Sequence, residues 1–213
     1  MSRPEVLSIA SELALEAVAP DVYVGASALE EGRVFGGLMI AHALRAAHAT
    51  VPDDRIAHSL QCAFVRAGRN DESLRYEVER THEGASFSTR RVVVHQAGAV
   101  AFVLTARFQV AEDGPEYQPA AGPTGPRPEE LPVGRYDSPW FESRDVPPDA
   151  PGHPPHARAA WFRCRTVLPD DAAMQQHALA FLTDHGPTRA VRQPHLDDYD
   201  TERRISVLSL IHI

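Results

Sequence analysis

Two kinds of hydrophobic pattern run through the first half of the chain. Residues 37–50 are apolar on nearly every side and rich in alanine, which predicts a helix that neighbouring elements approach closely. Residues 5–16 have the apolar spacing of a short amphipathic helix. Other stretches are rich in β-branched and aromatic residues and predict strands; they lie near 22–24, 58–66, 73–81, 86–96 and 99–110.

The order of these elements predicts the fold class. Residues 96–98 carry a tight-turn signal between the last two strands, so we expect a β-hairpin there. One buried helix followed by consecutive strands predicts an α+β fold, with an antiparallel sheet wrapped round a central helix. A doubly wound sheet is excluded because helices do not alternate with the strands.

Proline divides the chain into three parts. Residues 1–111 contain three of the 18 prolines, whereas residues 112–156 contain twelve and several glycines. Such a composition disfavours a continuous helix or a central strand, so it predicts a linker. We therefore expect one complete domain at residues 8–111, a Pro/Gly-rich linker at 112–156, and a separate element group at 157–207.

The third part repeats the beginning of the same plan. Residues 161–165 alternate like a strand, and residues 168–171 carry a helix-entry signal with an acidic cap. A helix then runs to about Asp184, where glycine and proline at 186–187 stop it. Residues 205–207 would open the next strand. We expect half of a second domain, whose incomplete core would leave this polypeptide poorly soluble and inactive.

The last six residues differ from the rest of the chain. Isoleucine occurs four times before residue 208 and twice in residues 208–213. Residues 208–213 can be encoded by a DNA string that resembles a transposon end used to prepare sequencing libraries. We expect these residues to be a non-native tail.

Charge and cysteine content exclude several classes of function. A formal net charge of −8 argues against nucleic acid and anionic membrane surfaces as partners. No apolar run is long enough to span a bilayer, and the N-terminus lacks the pattern of a secretory signal. Cys62 and Cys164 are isolated and have no metal-type spacing, which predicts a cytoplasmic protein without a metal or cofactor.

An ordered set of motifs resembles the type II acyl-CoA thioesterases, which are double-hotdog proteins. The set covers residues 10–207, although the proline-rich linker matches only in position. It comprises RVFGG at 33–37, HSLQCAFVR at 58–66, GASFSTRRV at 84–92, TARFQ at 105–109, WFR at 161–163, PDD at 169–171, FLTD at 181–184 and QPH at 193–195, with His177 among them. Leu38 departs from the family, which commonly has glutamine there.

The resemblance implies hydrolysis of fatty acyl-CoA to free acid and CoA by an activated water. In the family an aspartate, a hydroxyl residue and a glutamine share the water, and the aspartate matches Asp184. The other two groups would lie beyond Val207. Ser206 lies one or two positions before the expected hydroxyl, and Ser209 resembles it but falls within the expected non-native tail, so neither is assigned. No cofactor is implied, acyl-CoA is the expected partner, and a homo-oligomer is expected at full length.

Asp184 is also a catalytic candidate on the residues alone. His177, Phe181 and Asp184 are spaced by four and three, which places them on one helix face. A carboxylate on an apolar face is desolvated, which raises its pKa, and the C-terminal end of a helix disfavours its charge. Two unfavourable placements suggest a functional reason, although exposed aspartates near helix ends are common.

Alternative functions remain open on the sequence. A non-catalytic module that binds acyl-CoA or another acyl thioester would share the fold. Residues 84–88 resemble part of a serine-hydrolase elbow but lack its second glycine and the helix that follows. His153 and His156 could ligate a metal, but they lie in a proline-rich stretch without a third ligand.

Overall fold

The computed structural model describes residues 7–29, 31–115, 117, 119, 125–150 and 159–186. These residues divide into two compact units. The larger unit contains Ile9–Glu112 and Leu168–Asp184, and the described part of the smaller lies mainly within Asp113–Val167. In the described ranges, no helix combines the length and apolarity needed to cross a membrane.

The larger unit contains an antiparallel sheet of six strands. The strand order is β1-β2-β4-β5-β6-β3, so β3 lies next to β6 at one edge. The strands are β1 (Glu16–Ala19), β2 (Val22–Gly25), β3 (Arg55–Phe64), β4 (Leu74–Glu83), β5 (Phe87–Gln96) and β6 (Ala99–Val110). The predicted α+β class and the predicted strands are confirmed.

The predicted first helix is much shorter than the apolar spacing indicates. Helix α1 occupies only Ile9–Glu12, and β1 begins at Glu16, inside the range 5–16 that the sequence assigns to helix. Pairing of β1 with β2 supplies backbone hydrogen bonds that a further helical turn would otherwise supply. Tertiary pairing therefore overrides the local pattern.

Helix α2 (Gly36–His48) packs against the sheet and is buried along most of its length. Inward-facing residues alternate along the strands that cover it, among them Val92, Val94, Phe102 and Leu104. The predicted hairpin joins β5 to β6, and Ala97 and Gly98 have positive φ angles of 50° and 74°. Positive φ angles at both central residues are typical of a two-residue β-hairpin turn, which is the turn expected there.

Helix α3 (Ala172–Leu182) packs against α2 in the larger unit. Its start agrees with the sequence: Asp171 caps it by accepting hydrogen bonds from the backbone N–H groups of Ala173 (3.0 Å) and Met174 (3.3 Å). The helix ends at Leu182 with Thr183 as its C-cap, so Asp184, where the sequence predicts the end, lies just beyond it.

The smaller unit contains a two-stranded antiparallel sheet. Strand β7 (Phe141–Asp145) pairs with β8 (Ala160–Cys164), and a single 3-10 turn occupies Pro128–Glu130. Strand β7 lies within 112–156, so the linker prediction is wrong for those five residues, which contain neither proline nor glycine. The predicted strand at 205–207 and the predicted tail at 208–213 lie outside the described residues.

Candidate active site

The N-terminus of α2 presents backbone N–H donors to closely packed neighbouring residues. Gly36 and Gly37 are the first two residues of the helix, and the N-cap Phe35 has an extended backbone and no side-chain acceptor. The first N–H groups of a helix have no partner within it, and they form the positive end of its dipole. A carboxylate from elsewhere in the fold can therefore bind there.

Asp184 supplies that carboxylate. The backbone N–H groups of Gly37 and Gly36 donate hydrogen bonds to its side chain. Helix α3 brings the residue to this position because α3 packs along α2 and ends close to where α2 begins. Asp184 thus caps a helix that is distant in sequence.

Neither glycine can be enlarged without displacing a neighbour. A Cβ atom on Gly36 would lie 2.5 Å from Oδ2 of Asp184, and one on Gly37 would lie 2.0 Å from the backbone oxygen of Phe181. Non-bonded heavy atoms do not approach so closely. The absence of side chains at both positions therefore lets α3 and its aspartate contact the backbone of α2.

Two opposing influences set the charge state of Asp184. Burial raises the pKa of its carboxyl group, and the hydrogen bonds from Gly37 and Gly36 lower it; burial prevails, so the pKa lies above the ordinary value for aspartate. The expected unfavourable dipole of α3 is only part of the electrostatics, because the carboxylate also lies at the favourable end of α2.

Three aromatic residues lie around the two glycines at the start of α2. The rings of Phe35 and Phe181 are tilted against each other with centroids 5.0 Å apart. Phe64, at the end of β3, places Cε1 and Cζ at 2.8 and 2.9 Å from the point where a Cβ of Gly36 would lie. Phe35 and Phe64 are site residues that sequence reasoning did not single out, although both fall inside the motifs RVFGG and HSLQCAFVR.

The serine-rich segment at 84–92 has a structural role. The Ser88 hydroxyl accepts a hydrogen bond from Arg55 (3.0 Å) and donates one to Glu83 (2.7 Å). Arg90 is fully buried and donates to Thr50 and to Glu83. These contacts tie β4 and β5 to the end of α2, and they explain why this motif orders a strand.

Gln109 is not part of this cluster, because it lies within β6, opposite Phe87 of β5 and Ile56 of β3. His153, His156, Ser206 and Ser209 lie outside the described residues. Across the part of the chain that the structure describes, no three His, Cys, Asp or Glu side chains gather in a way that could hold a metal ion.

The smaller unit has its own pocket, with a volume of about 320 Å³. It is lined by Trp161 and Phe162 together with charged residues of the two strands. Glu142 pairs with Arg144 of its own strand and with Arg163 of the neighbouring strand. Because Glu142 partly neutralises these arginines, the pocket does not have the excess positive charge that an anionic ligand would require.

Comparisons with known proteins identify the relatives of this chain. A family model described as the acyl-CoA thioesterase N-terminal domain matches residues 26–109. Acyl-coenzyme A thioesterase 8 of Rattus norvegicus is 42% identical over 125 residues, which are 58% of this chain and 39% of that protein. The chain thus spans about two fifths of the length of that curated relative.

Solved structures extend the likeness to most of the chain. The acyl-CoA thioesterase II TesB2 from Mycobacterium marinum superposes with a TM-score of 0.77 and 34% identity, covering 88% of this chain and 71% of that one. A hot dog fold protein of unknown function from Alicyclobacillus acidocaldarius has a TM-score of 0.63 at 21% identity, covering 81% and 67% of the two chains, and it supports the fold alone. The chain has the hotdog fold and belongs to the type II acyl-CoA thioesterase family.

Proposed function

We propose that the protein hydrolyses acyl-CoA thioesters, with Asp184 as the general base that activates water. The observation that carries this proposal is the half-buried carboxyl group of Asp184, held by two backbone N–H groups at the start of α2 near the ring of Phe64. A base with a raised pKa accepts a proton more readily, and a dry site strengthens its interaction with a bound water. Family membership supports thioester hydrolysis as the reaction class.

The reaction proceeds in two steps without an acyl-enzyme. The Asp184 carboxylate takes a proton from water while the water oxygen bonds to the thioester carbonyl carbon. The resulting tetrahedral oxyanion then collapses, the carbon–sulfur bond breaks, and the thiolate of CoA leaves and is protonated. One water and one thioester give one carboxylic acid and one thiol.

The remaining groups of the catalytic set are proposed from the family resemblance. A hydroxyl residue and a glutamine would help to orient the water, and a homo-oligomer would be the working enzyme. Acyl-CoA is the proposed substrate, the cytoplasm the proposed compartment, and fatty-acid metabolism the proposed context.

Thiol release from acyl-CoA tests the proposal. Asp184→Asn keeps an oxygen that accepts hydrogen bonds but removes the base. We expect kcat to fall by about 10²–10⁴-fold. Hydrolysis by Asp184→Asn at the parent rate would contradict the assigned role.

A second candidate, a non-catalytic module that binds acyl-CoA, is favoured by one observation. Asp184 already satisfies the N–H groups of Gly36 and Gly37, so it can serve as a helix cap with no chemistry. Under this alternative, a non-hydrolysable thioether analogue of acyl-CoA binds, but neither the parent nor Asp184→Asn releases thiol. Steady thiol release by the parent alone excludes the binding module.

A further inference from the structure

Phe64 and Asp184 meet over the backbone of Gly36. The point where a Cβ of Gly36 would lie is 2.5 Å from Oδ2 of Asp184, 2.8 Å from Cε1 of Phe64 and 2.9 Å from its Cζ. The ring edge and the carboxylate oxygen therefore approach the same point beside the first residue of α2. Glycine at position 36 is what leaves room for both.

Contacts with β6 hold the ring of Phe64 in place. Phe64 is the last residue of β3 and pairs with Phe102 of β6, whose fully buried ring lies 4.9 Å away with a tilt of 52°. The next two residues, Val65 and Arg66, both donate backbone hydrogen bonds of 2.9 Å to the carbonyl oxygen of Ala101. The hydrogen-bonded end of β3 and the ring of Phe102 together hold the edge of the Phe64 ring near Gly36.

A ring edge is well suited to this place. Its hydrogens carry the positive end of the ring quadrupole, so the edge lies against a carboxylate without repelling it. The ring also occupies volume that water would otherwise fill next to Oδ2. Phe35 and Phe181 supply apolar surface from the two helices, whereas Phe64 supplies it from the sheet.

We infer that Phe64 is a positioning residue of the site, whose ring edge excludes water from Asp184 on the β3 side and keeps the carboxyl group desolvated. This inference rests on the proposed function for its catalytic meaning. Burial is the largest influence on the pKa of Asp184, so removal of the ring hydrates the carboxylate and moves that pKa down towards the ordinary value.

The test is a titration that does not depend on catalysis. The carbon signal of the Asp184 carboxyl group, identified by its loss in Asp184→Asn, is followed against pH by nuclear magnetic resonance in the complete protein. We expect its midpoint to shift to lower pH in Phe64→Ser and, by less, in Phe64→Leu. Phe64→Leu keeps an apolar side chain and provides the measurement if the serine variant does not fold.

Phe108→Leu is the matched control. Phe108 is a fully buried phenylalanine of the same sheet that packs against His48, with ring centroids 5.2 Å apart. His48 ends the 13-residue α2, so this contact lies about 18 Å along the helix from Gly36. We expect Phe108→Leu to leave the midpoint of Asp184 unchanged although it also removes a buried ring.

The two proposals fail in different ways. An unmoved midpoint in both Phe64 variants, with Asp184→Asn inactive, overturns the role of Phe64 and leaves the general base in place. A shifted midpoint with Asp184→Asn fully active overturns the general base and leaves the desolvation by Phe64 standing. If both proposals hold, the acid limb of kcat/KM moves to lower pH by the same amount as the titration midpoint.

Discussion

The carboxyl group of Asp184 accepts a hydrogen bond from the backbone N–H of Gly36, although the two residues follow and begin different helices. This contact joins the end of α3 to the start of α2. It places one carboxylate where burial raises its pKa and helix donors lower it. The consequences for stability and for activity can be separated by mutation.

Asp184→Asn should stabilise the fold while removing activity. The raised pKa means that the folded state favours the neutral carboxyl group, so the ionised form weakens the fold at neutral pH. Asparagine keeps an acceptor for Gly36 and Gly37 without the buried charge. Denaturant unfolding at pH 7 should show a gain of about 0.5–1 kcal/mol. Asp184→Ala, which also loses the cap, should lack this gain, and a loss of stability in both variants would contradict the prediction.

Gly37→Ala should destabilise the larger unit. The added methyl group would meet the backbone oxygen of Phe181 at 2.0 Å, so α3 must move away from α2. We expect a loss of about 1–3 kcal/mol by chemical denaturation, as for other overpacked sites. Alanine is otherwise the better helix former by about 1 kcal/mol. Gly114→Ala is the control, since nothing lies within 4 Å of its added atom.

Two buried histidines should respond differently to replacement by leucine. His42 bonds through its ring nitrogens to the Tyr76 hydroxyl (3.0 Å) and the Glu12 carbonyl (2.9 Å), so His42→Leu leaves two buried groups unpaired. Neither ring nitrogen of His177 has a hydrogen-bond partner among the described residues. Denaturation should show a loss of about 1–3 kcal/mol for His42→Leu and no loss for His177→Leu. Equal losses would contradict the prediction.

The same histidines make stability fall in mild acid. Burial lowers the pKa of His42 to about 4 and, with the positive charges of His48 and Arg45 nearby, that of His177 to about 3. Below pH 6.5 the unfolded chain takes up protons that the fold excludes, so stability decreases with falling pH until those lower values are reached. Each histidine contributes about 1.4 kcal/mol per pH unit in that window. The slope of unfolding free energy between pH 6 and 5 should be shallower in His177→Leu.

Glu83→Gln should cost more than a comparable surface change. Glu83 pairs with Arg90, which is fully buried, and lies 3.7 Å from Arg55, whose side chain is 6% exposed. Loss of its charge leaves both guanidinium groups without that counter-ion. Thermal or denaturant unfolding should report a loss of about 1–3 kcal/mol. Glu77→Gln, in an exposed pair with Arg75, should change stability by less than about 0.5 kcal/mol and serves as the control.

Most of the fold follows from local patterns. The alternation of apolar residues predicts strands β3 to β6, and the turn at Ala97 and Gly98 predicts the hairpin between β5 and β6. Both predictions succeed because side-chain periodicity and turn geometry are local properties of the chain. Strands β1 and β7 were missed. Each is four or five residues long and forms through strand pairing, β1 with β2 directly after it and β7 with the more distant β8.

The candidate site was predicted only in part. The spacing of His177, Phe181 and Asp184 indicates a carboxylate against an apolar helix face. The contact of that carboxylate with the two glycines at the start of α2 could not be predicted, because it depends on how α3 packs against α2. The edge of the Phe64 ring reaches the same place from a third element, β3.

By itself, the sequence determined the α+β class, the helix around which the sheet wraps, and the aspartate that carries the proposed chemistry. Only the tertiary structure decided the surroundings of that aspartate: two glycine N–H groups, the carbonyl of Phe181 and the ring of Phe64. The reason is physical. Periodicity and caps depend on neighbours along the chain, whereas desolvation and dipole contact depend on atoms that only packing brings within a few ångströms.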